Sequence, residues 1–222
     1  MFKSKLPDQG ENQPVEFDDI SLESLGGHLL FGDIDVETVR GAITFILKAS
    51  HLGNASDAIT FFINTGGGSC ADGFALIDVM TVSRLKIQTV GMGTVASMGV
   101  LIAAAGTKGS RIMTRNTEVM AHQFSGYYEG KFHELMAASK ANAYLEHQFV
   151  EHFKRHSSMN EKTIRDVMFG PSDRWLTPAE CKKYGLVDTI VDELPDFSAP
   201  IITTAAAVAA APLTKSKRRA QK

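Results

Sequence analysis

Three stretches of this chain carry residues whose types and spacing suit chemistry. The first is Gly91-Met92-Gly93-Thr94-Val95-Ala96-Ser97-Met98-Gly99. A strand ends there, and the pattern places Ser97 at the start of a helix of small residues. A helix start presents unpaired N–H groups and a partial positive charge. A serine alkoxide attacking a carbonyl there would leave its oxyanion beside those donors. The competing reading makes Ser97 an N-cap and nothing more. The second stretch is Glu118-Val119-Met120-Ala121-His122-Gln123, an apolar segment ending in a histidine. Imidazole can accept a proton near neutral pH; a hydrogen-bonded structural role competes with that. The third is Asn64-Thr65-Gly66-Gly67-Gly68, directly after an apolar run. Its glycines either let the backbone approach a ligand and turn N–H groups outward, or simply form a tight turn.

Other chemistries fit less well. Gly91 to Ala96 matches the G-x-G-x-x-A dinucleotide fingerprint, but no acidic residue ends a second strand about 20 residues on, as that motif needs. Position 111 there is an arginine. His152 and His156 lie one turn apart on a predicted helix, yet no H-E-x-x-H pattern accompanies them. They are expected on a solvated basic face, and neither a metal nor a cofactor is expected. Cys70 and Cys181 are isolated, so no disulfide framework is expected. They read as reduced thiols of a cytoplasmic protein, with Cys70 a small buried residue. Asp72 and Asp78 read as helix-surface residues.

The elements that must position these residues are legible from periodicity. Strands are expected at His28–Phe31, Asp57–Asn64, Lys86–Val90, Arg111–Met113, Glu118–His122 and Leu186–Val191. Helices are expected at Val36–Ala49, Ala71–Val82, Ser97–Ala105 and Gly130–His156. The last helix is marked by Thr177 as cap, Pro178 at its first position, Glu180 completing a capping box, and Gly185 at its end. Such alternation argues for an α/β fold with parallel strands.

The 222 residues suffice for one domain with a substantial core. Residues 1–19 read as a flexible arm, 20–196 as the globular domain, and 197–222 as a disordered alanine- and lysine-rich tail. A formal net charge of -2 speaks against nucleic acid as a partner. No secretory signal is visible near Met1, and the longest apolar runs are too short to span a bilayer, so no membrane partner is expected.

Taken together, the motifs resemble the Clp protease proteolytic subunit. That family looks like Asn-x-x-Gly-Gly, then Gly-x-x-Ala-Ser-Met-Gly around a nucleophile, then Met-x-His-Gln around a base. Here these are Asn64 to Gly68, Gly93 to Gly99 and Met120 to Gln123, and His122 follows Ser97 by 25 residues. A fourth match is Asp173-Arg174-Trp175-Leu176-Thr177 with Tyr184 to Asp188. The similarity runs from roughly His28 to Val191. It implies a Clp protease and crotonase-like spiral of β-β-α units with a projecting helix-strand handle, here about 124–156. It implies a serine endopeptidase with Ser97 as nucleophile, His122 as base and Asp173 as its orienting acid. It further implies an oxyanion hole of the Gly68 and Met98 N–H groups, with Gly67, Ser69, Phe124 and Ser125 contacting a polypeptide substrate. Family members form heptameric rings, stacked in pairs, around a chamber. Phe132, Leu135, Met136, Leu145, Phe149 and Val150 would then pack against another subunit; an intrachain core stripe is the alternative. The chain has no ATP-binding loop, so a separate AAA+ unfoldase would supply unfolding energy.

The sequence also departs from the family. Gly66 replaces a proline, and Gly170-Pro171-Ser172 replaces a more charged approach to the aspartate. Ser172 stands where an arginine often serves ring stacking. The first 27 residues do not resemble the family's pore loop, and only Phe61 and Phe62 remain of its aromatic docking surface. Three rivals follow: a stand-alone processing protease of the same fold, such as one maturing viral capsids; a crotonase-like acyl-CoA enzyme; and an inactive ring subunit.

Overall fold

The computed structural model describes residues 21–52 and 58–194. The expected arm and tail, and the outermost residues of the expected 20–196 domain, lie outside that range. In chain order the elements are β1 Gly27–Phe31, α1 Val36–Leu52, β2 Ala58–Thr65, α2 Cys70–Val82, β3 Lys86–Ala96, α3 Met98–Ala104, β4 Arg111–Thr114, β5 Glu118–Ala121, α4 Phe132–His156, α5 Glu161–Met168, β6 Arg174–Leu176, α6 Pro178–Lys183 and β7 Thr189–Val191. The strands run β1-β2-β3-β4-β7 in parallel, which gives the expected α/β class. β2 is buried almost throughout: Ile59, Phe61 and Ile63 enter the main core, and Phe62 packs with Val90 and Ile112 in a second, smaller cluster.

β3 decides where the site lies. Its first half pairs with β4 through Thr89 to Gly91, and its second half with β5 through Thr94 to Ala96. β6 then pairs antiparallel with β5, with Ala121 opposite Arg174. That register makes His122 and Asp173 the next facing pair beyond the ladder. α3 is buried along its whole length, as its alanines and glycine require. A Cβ added at Gly73 of α2 would fall 2.3 Å from the Met98 side chain, so the two helices touch through glycine.

The far end of the sheet is tied by Arg111 and Asp188. The guanidinium donates to both carboxylate oxygens, at 2.9 and 2.6 Å, and Gly109 N–H donates to the same carboxylate at 2.7 Å. Arg111 also donates to the carbonyl oxygens of Ala104 and His156, the C-terminal ends of α3 and α4. Burial alone would raise the Asp188 carboxyl; the hydrogen bonds and charge of Arg111 outweigh it and hold it below its ordinary range.

Several expectations need correction. β3 continues through Gly91 and Gly93 instead of stopping at Val90, because those glycines form a bulge and not a turn. α3 starts at Met98, one residue after Ser97. β7 is shorter than expected: Leu186 and Asp188 donate to the Cys181 and Arg111 carbonyls before the ladder begins. α5 and β6 were not expected at all. The handle is a helix approached by residues 122–131, which form no strand within the chain.

α4 divides into two halves. Phe132, Leu135, Met136 and Tyr144 are exposed, whereas Phe149, Val150, His152 and Phe153 are buried. Phe149 and Val150 therefore belong to the chain's own core, with Leu145 packed partly against it, and are not available to another subunit. His152 is not on a solvated face: it is 5% exposed and hydrogen-bonds the Leu101 carbonyl at 3.0 Å. Its ring stacks on His156 at 4.5 Å. Phe61 and Phe62 are likewise buried, so neither offers a docking surface.

Candidate active site

Ser97 sits between β3 and α3 with φ 52 and ψ −123. It is the one non-glycine residue with positive φ among the described residues. Such a backbone persists only when neighbours over-determine it. Here the Ser97 N–H donates to Met120 O at 2.8 Å, and the Ser97 carbonyl accepts from Val100 N at 3.0 Å. A strained strand-to-helix turn of this kind lifts a serine hydroxyl clear of the sheet. Ser97 stands at the N-cap position of α3, but its hydroxyl makes no capping bond to the helix.

That hydroxyl meets His122 instead. His122 Nε2 lies 2.8 Å from Ser97 Oγ. The β5–β6 register brings Asp173 to the other side of the ring, where Oδ1 is 3.7 Å from His122 Nδ1. This is ion-pair range and longer than a hydrogen bond. His122 is 29% exposed and Asp173 63%, so the carboxylate is the wet end of the chain of three. A serine, an imidazole and a carboxylate in this order can pass a proton from hydroxyl to ring.

The glycine turn lies against the same point. Gly67 N–H donates to Thr65 Oγ1 at 3.0 Å, and Gly67 O accepts from Ile34 N at 2.8 Å. A Cβ added at Gly67 would stand 2.5 Å from the Ser97 Cβ and 3.1 Å from Met98 N. At Gly68 it would stand 2.3 Å from Ile34 O. Only glycine fits either position. The N–H of Met98 opens α3, and that of Gly68 lies between two residues bonded to Ile34. Neither donates a hydrogen bond among the described residues. The Met98 N–H adjoins Ser97 in sequence, and the Gly68 N–H follows the glycine that abuts Ser97.

The remaining predicted residues are less uniform. Ser69 Oγ accepts from Asp72 N at 3.3 Å and so caps α2. Phe124 turns its ring to Phe149, 5.7 Å away, and packs partly in the core. Ser125 is exposed beside it. Cys70 is half-buried and Cys181 buried; desolvation raises both thiols, Cys181 to about 12, so neither is an activated nucleophile. No metal-holding cluster occurs among the described residues. A cavity of about 710 Å³ opens at the opposite, C-terminal end of α3, beside Gly106, Arg111 and His156, away from Ser97.

Sequence reading missed what Asn64 does. Its Oδ1 accepts from Thr94 N at 3.0 Å, across the β2–β3 pair. The signal was an asparagine at a strand end with Gly-x-Gly in the neighbouring strand.

The family model described as Clp protease matches residues 28–194. The chain belongs to the Clp protease family. It is 34% identical over 140 residues to the ATP-dependent Clp protease proteolytic subunit 2 of Thermobifida fusca (strain YX), a match covering 63% of this chain and 68% of that relative. Family membership makes this chain a serine endopeptidase with the Clp protease fold. Among the described residues, no helix is long and apolar enough to cross a membrane.

Proposed function

We propose that this Clp-type peptidase cleaves polypeptides through an acyl-enzyme on Ser97. The observation that carries the proposal is the 2.8 Å contact between His122 Nε2 and the hydroxyl of a strained serine. His122 takes the Ser97 proton as Oγ attacks the scissile carbonyl. The oxyanion forms against the N–H groups of Gly68 and Met98. The tetrahedral intermediate collapses, His122 gives its proton to the leaving amine, and the acyl group remains on Ser97. Water, deprotonated by His122, then releases the acid. Asp173 holds the ring's tautomer and balances the imidazolium. Gly67 sets how close the substrate backbone comes. Ser69, Phe124 and Ser125 flank the path, with Ser69 and Phe124 acting largely through the positions they fix.

A crotonase-like acyl-CoA enzyme would need the glycine-built donors but not a serine bonded to a histidine. The 2.8 Å contact therefore favours the peptidase. The presence of all three triad residues also weighs against an inactive subunit.

The assembly proposed is a homo-oligomeric chamber of heptameric rings. The exposed apolar half of α4 supports it, since Phe132, Leu135 and Met136 have no cover in the single chain. The name of the Thermobifida fusca relative includes ATP dependence. By analogy an AAA+ unfoldase feeds the chamber, in the cytoplasm. Burial of Phe61 and Phe62 is the observation that keeps a stand-alone processing protease as the second reading.

The test is hydrolysis of a short fluorogenic peptide by the wild type and by Ser97→Ala and His122→Ala. Turnover by the wild type alone is expected; undiminished turnover by either variant contradicts the proposal. Negative-stain images of the same sample should show seven-fold rings, and single subunits would contradict the chamber. Co-purification with an unfoldase, as against a scaffold protein, separates the two biological readings.

A further inference from the structure

We infer that Asn64 is a positioning residue for the Ser97 reaction, keying the nucleophile's strand to the glycine turn. This rests on the peptidase reading above. β2 and β3 are mismatched in register. Ile63 pairs with Gly91, but Thr65 pairs with Val95. One residue of β2, Asn64, therefore faces three residues of β3, Met92 to Thr94. A gap of that kind leaves backbone donors without ladder partners.

The Asn64 side chain fills the gap. Its Oδ1 accepts the Thr94 N–H at 3.0 Å, doing the work of a missing strand carbonyl. Gly93 makes room, with φ +60; a Cβ there would fall 2.9 Å from Asn64 Oδ1. Asn64 keeps its own backbone in the sheet, its carbonyl accepting from Gly32 N at 3.2 Å. The side chain thus links a fixed strand to the bulge.

The consequence appears three residues on. With the offset in place, Val95-Ala96-Ser97 runs beside Thr65-Gly66-Gly67. Gly67 then abuts Ser97 closely enough that an added Cβ would lie 2.5 Å from the Ser97 Cβ. Slippage by one residue would send each side chain of the strand to the opposite face. A smaller loosening would move Oγ relative to His122 Nε2 and to the Gly68 and Met98 donors. Misplacement by about 1 Å can cost about 10²-fold in rate. Asn64 touches neither substrate nor the reacting atoms; it acts through Thr94 and Gly93.

The experiment compares the full chain with Asn64→Ala and Asn64→Asp. Aspartate preserves the acceptor at Oδ1, while alanine removes it. Two rates are read: phosphonylation of Ser97 by a fluorophosphonate, and kcat on a short peptide. Asn64→Ala should lower both by at least about tenfold, with KM within about twofold, because ground-state binding is not what it disturbs. Asn64→Asp should recover to within about threefold of wild type. Hydrogen exchange in the wild-type protein gives a reading independent of any variant's folding. The Thr94 amide should exchange slowly, and rapid exchange would overturn the contact itself. If the wild type labels on Ser97 and Asn64→Ala labels equally fast, the inference about Asn64 fails alone. If Asn64→Asp is folded but no better than Asn64→Ala, it fails as well. If the wild type does not label at all, the peptidase reading fails and takes the inference with it.

Discussion

At the scale of single residues, the three members of the proposed triad are not held equally. Ser97 and His122 are locked by strain and a 2.8 Å contact, whereas Asp173 is exposed and 3.7 Å from the ring. Where a serine or histidine is essential, the acid partner contributes less, by about one to two powers of ten. Asp173→Asn should therefore leave roughly ten to a hundred times more peptide turnover than His122→Ala, measured as kcat. Gly67→Ala is expected to do more harm than its size suggests. Its methyl would meet the Ser97 Cβ at 2.5 Å in a backbone at φ +99. Stability should fall by about 1–3 kcal/mol in urea unfolding, and fluorophosphonate labelling should slow by about 10²-fold. Ser97 and His122 stood out as candidates in short motifs, each beside a competing structural reading, and the resemblance gave them their roles. Asp173 was legible only through resemblance: nothing local marks it, and the antiparallel β5–β6 register that brings it to His122 joins segments about fifty residues apart. Asn64 stayed hidden as a positioning residue, since its partner is a backbone N–H across a bulge and no pattern in one strand reveals that.

Elements carry their own predictions. Thr177 Oγ1 accepts from Glu180 N at 3.2 Å, and Glu180 accepts in return from Thr177 N at 2.8 Å, capping α6 just after β6. Thr177→Ala should cost about 1 kcal/mol, read as a lower midpoint in urea. Where α4 meets α3, burial holds the His152 imidazole at about 3, with the charges of His156 and Arg155 adding to the effect against the opposing bond to Leu101 O. The ordinary value is near 6.5, so between about 6.5 and 3 the unfolded chain binds a proton that the folded chain refuses. Stability from this group is complete above pH about 6.5 and falls by up to about 1.4 kcal/mol per pH unit below it. Replacing His152 by glutamine, followed by urea unfolding from pH 7 to 5, should flatten that slope; an unchanged slope would contradict the assignment. The elements misread in sequence have separate causes. β3 contains two glycines that look like a turn and act as a bulge. β6 is three residues with two side chains exposed, too short for alternation to show. α5 offered Asn160 as a cap and a helical spacing of Ile164, Val167 and Met168, yet its eight residues are few for periodicity to separate from loop. His152 looked surface-exposed because helical spacing alone does not say which stripe another helix covers.

For the whole molecule, the chemistry lies at one end of the buried α3 and the Arg111–Asp188 tie at the other. Arg111 is 4% exposed, so losing its partner leaves a buried charge. Asp188→Asn should cost about 3–5 kcal/mol in urea unfolding. Parallel order was readable from alternating apolar runs. The switch of β3 from one partner to another was not, since it depends on pairing between distant segments. The proposed chemistry requires covalent capture of an acyl or phosphonyl group by one hydroxyl, that of Ser97. Intact-mass analysis after fluorophosphonate treatment, with peptide mapping of the adduct, measures that directly. One adduct per chain, on Ser97 and absent from Ser97→Ala, is the predicted result; an adduct elsewhere, or equal labelling of the variant, would contradict it.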